Sequence, residues 1–296
     1  METVVNLWFV IIAFLWTGYF VLEGFDFGVG LLAPFVSRGP EQHRQSLETI
    51  GPVWDGNEVW LITAVGAMFA AFPAWYAGMF SAFYLPVVLI LVGLIVRGVG
   101  LEWRGKVTNT FWCDLGIVVG SALPAFLWGA IFADVLFDSA LAALVGGLFT
   151  LATCVLHGAV FLSLKTEGPV RRRARAVALA ASAVVLPLAV AALSSLGSIS
   201  ALMAMAALAA GAALTYRRRE GWAFTATAGA IALASVAVFA ELRWAPLPGI
   251  TLTDAASGPY TLTMLSWIGL ITLPFVLVYQ GWTYWVFRKR VTLTTH

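Results

Sequence analysis

The chain has 296 residues, 61% of them hydrophobic and 11% charged, whereas a soluble domain carries roughly 25% charged residues. A water-soluble fold of this size cannot hide that much apolar surface, so most of the chain faces lipid or other membrane helices. The formal net charge of +2 argues against a nucleic-acid partner.

Apolar runs of roughly 20 residues are candidate spans. In chain order they fall at 4–32, 53–72, 78–101, 114–137, 141–164, 176–196, 199–216, 222–242 and 260–287. They predict an all-α integral membrane protein of about nine transmembrane helices, with residues 1–296 forming a single transmembrane domain. Two four-helix bundles plus one peripheral helix is the expected arrangement, although no internal sequence repeat demonstrates it. The first run follows Met1-Glu2-Thr3 without a basic segment and is too long for a cleaved signal, so it is expected to be retained. Pro86, Pro124, Pro187 and Pro274 lie inside runs and are expected to kink their helices.

Charge orients the spans. With the N-terminus outside and the C-terminus cytoplasmic, 16 of the 17 Lys and Arg residues, all but Arg243, fall on the inner side. This is the positive-inside pattern.

Acidic residues inside a membrane are expensive, on the order of 2.5–3.5 kcal/mol at a helix centre. The first run carries two, in Glu23-Gly24-Phe25-Asp26-Phe27-Gly28-Val29-Gly30. Glu23 and Asp26 are three apart and share one helix face. Gly24, Gly28 and Gly30 permit close helix packing, and are expected to face another membrane chain. The second run opens with Trp54-Asp55-Gly56-Asn57-Glu58-Val59-Trp60, where Asp55 and Glu58 are again three apart. Both pairs lie in the inner half of the bilayer, where carboxylates are able to take protons from cytoplasmic water and pass them inward. Structural roles compete with this reading. Asp55 and Glu58 in a first turn complement the helix dipole, and Asp26 has Arg97 or Arg104 as a candidate ion-pair partner. Asp114 is expected to cap its helix, and Asp134 to lie at the outer interface.

Of the 3 histidines, His43 is in a loop and His296 is terminal, leaving only His157 within a span. One buried histidine cannot ligate several haems, and a packed core histidine is the expected role. The 2 cysteines, Cys113 and Cys154, show neither metal spacing nor a disulfide framework.

The run from Glu23 to Gly30 resembles a Gly-Phe-Asp-x-Gly-Val-Gly signature of the smaller core subunit of cytochrome bd-type quinol oxidases. The run from Trp54 through Trp60 to Ala64 resembles that family's second signature. Phe69-Ala70-Ala71-Phe72-Pro73, Phe80-Ser81-Ala82-Phe83-Tyr84, Arg97 and Glu102-Trp103-Arg104 follow in the expected order. The resemblance is strong over roughly residues 1–130 and looser at the last helix.

The resemblance implies a subunit of a quinol:oxygen oxidoreductase in a prokaryotic cell membrane. It implies no cofactor in this chain, haems b and d in a larger partner subunit, and quinol as substrate of the complex. Small single-helix accessory subunits and a bound lipid or quinone are further partners it allows. Glu23 and Asp55 match acids of the family's inner proton path, with Glu23 standing where many relatives have aspartate. Trp60 matches a position near an oxygen access route. A proton- or cation-coupled secondary transporter and a purely scaffolding protein are the competing readings. A transporter would place its acids near the midplane in both halves, whereas here they crowd one side of the first half.

Overall fold

The first helix, α1 (Glu2–Val36), runs 35 residues without a break. Its apolar composition offers no alternative in lipid, where backbone groups must bond within the segment. The computed structural model describes residues 2–244, 246–247 and 249–292; the terminal His296 lies outside them. After α1 come α2 (Pro40–Glu48), α3 (Trp54–Ala71), α4 (Pro73–Ala82), α5 (Tyr84–Trp103) and α6 (Phe111–Phe137). Then follow α7 (Ala140–Lys165), α8 (Gly168–Leu193), α9 (Ile199–Tyr216), α10 (Glu220–Leu242), α11 (Leu252–Ala255) and α12 (Pro259–Val286).

Among the described residues, 8 helices are long and apolar enough to cross a membrane: α1, α5, α6, α7, α8, α9, α10 and α12. The second sequence run, α3, falls outside this set because its first turns are polar. Its packing nevertheless matches that of a span. It lies against α1, with Asn57 bonded to Asp26, Trp60 over Gly18, and Trp75 just beyond it stacked on Phe9. It also lies against α12 and the residues before it, where Ser257 N donates to Ala71 O at one end and Gln280 and Tyr284 of α12 reach Asn57 at the other. Two long apolar helices therefore flank α3 at both ends.

The run 78–101 is not continuous: α4 ends at Ala82 and α5 begins at Tyr84. Pro86 thus sits in the first turn of α5, where its missing N–H breaks no helix bond, rather than kinking a helix interior. The three Ala-rich runs are three separate helices, α8, α9 and α10.

In this packing α1 is central, touching α3, α6, α7 and α10, while α7, α8, α9 and α10 pack in a ring. The glycines of α1 explain the closest approach. A Cβ on Gly28 would collide with Cys154 O and with the Gly158 backbone of α7, and one on Gly30 would strike Ser121 Oγ of α6. This glycine face is therefore filled by the chain's own helices, which corrects the expectation that it meets another chain. Towards the other end, Trp16, Tyr19, Trp128 and Phe132 form an aromatic core, with Trp128 Nε1 donating to Tyr19 Oη at 3.1 Å.

The last helix, α12, buries only Leu262. Its following tail is tied down: Val291 N donates to Lys165 O, and Gln45 Nε2 donates to Val291 O at 2.9 Å.

Candidate functional site

One carboxylate predicted from α1 and one predicted from α3 meet a single arginine. Arg97, on α5, directs Nη1 to Glu23 Oε2 at 3.1 Å and to Glu58 Oε1 at 2.7 Å. Glu23 and Arg97 are fully buried, and Glu58 keeps 21% of its side chain exposed. The guanidinium carbon also lies 5.1 Å from the centre of the Phe27 ring, a cation–π contact. Burying an ion this completely is tolerated only when it is paired.

The second predicted acid on α1, Asp26, is buried beside this pair but does not bond Arg97. Its Oδ2 accepts from Asn57 Nδ2 at 2.7 Å. Asn57 in turn accepts at Oδ1 from Gln280 Nε2 at 3.0 Å and from Tyr284 Oη at 2.9 Å. The network thus joins α1, α3, α5 and α12. Four of its buried atoms, Glu23 Oε1, Asp26 Oδ1, Arg97 Nε and Arg97 Nη2, have no protein partner. Buried polar atoms are normally satisfied by protein or ordered water.

Asp55 does not join the cluster. It is exposed in the first turn of α3, on the side that also presents Val59 and Ile62. Trp60 is buried instead, its ring over Gly18 and edge-on to Phe14 with centroids 5.8 Å apart. The alternatives left open for Arg104 and Asp114 resolve together. Arg104 Nε bonds Asp114 Oδ1 at 2.6 Å, and Thr110 Oγ1 donates to Asp114 Oδ2 at 3.0 Å. Thr110 occupies the N-cap position, so Asp114 is an ion-pair partner rather than the expected cap.

Sequence reasoning missed Asn57, Gln280 and Tyr284. The available signal was a polar pair at i, i+4 in the otherwise apolar α12, which places both side chains on one face.

His157 is a packed core residue. Its Nδ1 lies 2.7 Å from Thr227 Oγ1, and its ring stacks on Phe224 with centroids 4.6 Å apart. Among the described residues no group of three or more His, Cys, Asp or Glu side chains is placed to hold a metal ion.

The 8 apolar helices of spanning length among the described residues, with the buried ionic cluster beside them, define a polytopic helical membrane protein. Its relatives narrow the class. Residues 4–287 match the family described as cytochrome bd terminal oxidase subunit II, and the chain belongs to that family. It is 36% identical to cytochrome bd ubiquinol oxidase subunit 2 of Bacillus subtilis, over 99% of this chain and 98% of that one. It is 30% identical to cytochrome bd-I ubiquinol oxidase subunit 2 of Escherichia coli K12, over 97% and 94% respectively. Its fold matches a chain of the bd oxidase from Geobacillus thermodenitrificans with a TM-score of 0.74 at 17% identity, covering 97% of this chain and 100% of that one. As an oxidase subunit in a family of quinol:oxygen oxidoreductases, the chain does not call for the transporter reading.

Proposed function

We propose that this chain is the haem-free core subunit of a quinol oxidase, supporting assembly and carrying part of a cytoplasmic proton route. The observation that carries the reading is Arg97 holding Glu23 and Glu58 together beside Asp26, inside the span region. Three carboxylates lie around one guanidinium, and two of them bond it. One guanidinium neutralises one carboxylate, so the cluster has acidic capacity beyond its ion pairing, and ionisable groups at such depth mark ion or proton pathways.

In this reading Glu58, partly exposed, and Asp55, exposed at the head of α3, receive protons from the inner surface. Glu23 and Asp26 pass them inward, and Arg97 positions Glu23 and Glu58. The exposed face of Asp55, Val59 and Ile62 is suited to a partner chain that continues the route. Positive-inside charge supports a cytoplasmic C-terminus, since all basic residues but Arg243 fall on one side.

The haem-bearing partner supplies electron transfer from quinol to oxygen. In this reading His157 is a structural residue and not a haem ligand: its Nδ1 lies 2.7 Å from Thr227 Oγ1 and its ring stacks on Phe224. An apolar cavity of about 140 Å³, lined by Phe20, Phe27, Trp128, Phe132 and Phe149, suits the lipid or quinone tail expected of this subunit. Trp60, buried against α1, retains its assignment near an oxygen access route.

The test is quinol-driven oxygen consumption by the assembled, haem-loaded enzyme at roughly pH 6–9. Glu23→Gln keeps the hydrogen bond to Arg97 but cannot carry a proton, and is expected to lose activity, most at high pH, with haem spectra unchanged. Glu23→Asp is expected to retain much of the activity. Unaltered turnover in Glu23→Gln removes Glu23 from the route, and equal loss in both variants assigns it to packing.

A further inference from the structure

A second concentration of charge lies where α8 begins and α9 gives way to α10. Glu220, 6% exposed, takes Arg171 Nη2 at 3.2 Å and Arg175 Nη2 in a closer contact, both on Oε1. Arg218 lies close enough to repel Arg175 as well. Two guanidiniums therefore share one carboxylate, with the third close to Arg175. The Nε groups of Arg171 and Arg175 are buried and have no acceptor. A guanidinium presents its donors in a fixed fork, so the two Nε–H groups call for acceptor oxygens that Glu220 does not supply.

The backbone carries an independent sign. Arg218 has φ +59°, in the left-handed region. It is the residue that closes α9: Arg219 N donates to Leu214 O at 2.9 Å and Arg218 N to Thr215 O at 3.1 Å, the Schellman pattern. Glycine is the usual occupant because it adopts this conformation without strain. Topology does not require arginine here, because Arg217 and Arg219 already supply basic charge at this turn. The loop is also at headgroup level, flanked by exposed Tyr216 and Trp222, residues typical of the membrane interface.

We propose that Arg171, Arg175 and Arg218 form a binding site for the phosphate group of an anionic phospholipid, with its acyl chains lying along the ends of α8, α9 and α10. Guanidinium forks match phosphate oxygens, and the apolar flank of these spans distinguishes a lipid from a free anion. Glu220 holds two of the arginines in place before the lipid arrives.

The experiment uses the assembled oxidase containing this chain, delipidated in detergent. It is titrated separately with phosphatidylglycerol, phosphatidylcholine and inorganic phosphate, and read by thermal unfolding and by native mass spectrometry of retained lipid. Phosphatidylglycerol is expected to raise the unfolding temperature by about 3 °C or more above phosphatidylcholine. Arg218→Gly relieves the backbone, so it is expected to be at least as stable as wild type without lipid. It is expected to retain phosphatidylglycerol about fivefold less well and to lose most of the lipid-dependent rise. Equal responses of wild type and Arg218→Gly overturn the site. So does an equal gain from the zwitterionic lipid. A rise reproduced by inorganic phosphate alone overturns its assignment to lipid.

Discussion

Glu23 on α1 and Arg97 on α5 form a fully buried ion pair at 3.1 Å, and the same arginine nitrogen reaches Glu58 on α3 at 2.7 Å. Three helices are thus pinned by one guanidinium. Removing one partner of such a pair leaves a buried charge uncompensated, at a cost of about 3–5 kcal/mol.

Arg97→Gln is therefore expected to destabilise the chain by about 3–5 kcal/mol and sharply reduce recovery of the complex. Glu58→Gln is expected to cost far less, because Glu58 reaches water and Glu23 still pairs Arg97. Thermal unfolding and yield after size-exclusion chromatography rank the two. Equal losses contradict Arg97 as the centre of the cluster.

The glycines of α1 separate by position. Gly28→Ala puts a methyl group into the backbone of α7 and is expected to cost about 1–3 kcal/mol. Gly24→Ala meets nothing closer than Ile231 Cδ1 at 3.6 Å and is expected to be nearly neutral. Because the collision is inside the chain, the Gly28 defect should appear in its own unfolding, before any loss of partner. A variant that unfolds normally yet fails to assemble argues for an external interface instead.

Asn57 organises three partners with one amide. Asn57→Leu leaves Asp26, Gln280 and Tyr284 without it, at roughly 1–3 kcal/mol for each group stranded from water. Tyr284→Phe removes a single hydrogen bond, worth about 0.5–1.5 kcal/mol. Denaturant titration of the complex is expected to give that order, and equal effects contradict Asn57 as the branch point.

At the membrane surface, His43 on α2 lies 3.5 Å from Asp114, which also pairs with Arg104. Burial and then Arg104 lower the His43 pKa below its ordinary 6.5, against the opposing pull of Asp114. The folded chain therefore binds this proton less readily than the unfolded one. Stability is unaffected well above pH 6.5 and falls as the pH drops below it. Melting temperatures from about pH 5 to about pH 8 should show a steeper acid decline for wild type than for His43→Gln. Parallel curves exclude His43 as the titrating group.

Hydropathy located the long helices, and α9 matches its sequence run end to end, whereas α8 begins at Gly168, ahead of its run, and α5 at Tyr84, inside its run. The reason is local: a segment in lipid must satisfy its own backbone, so composition alone dictates helix. Glu23, Asp26 and Glu58 were legible for the same reason, because a charge in an apolar run needs no partner to stand out. Their pairing was not legible. The i, i+3 spacing puts Glu23 and Asp26 on one face of α1, but whether Arg97 meets one or the other depends on the axial offset of α5. That offset is set by non-local packing, including the contacts of Gly93 and Gly100 on α5 with α6. The rotation of α3 against α1 likewise turned Asp55 outward and brought Asn57 onto Asp26, and the α1–α7 contact gave the glycine face to a helix of the same chain. A helical period assigns each side chain a direction, and only the register between helices assigns it a neighbour.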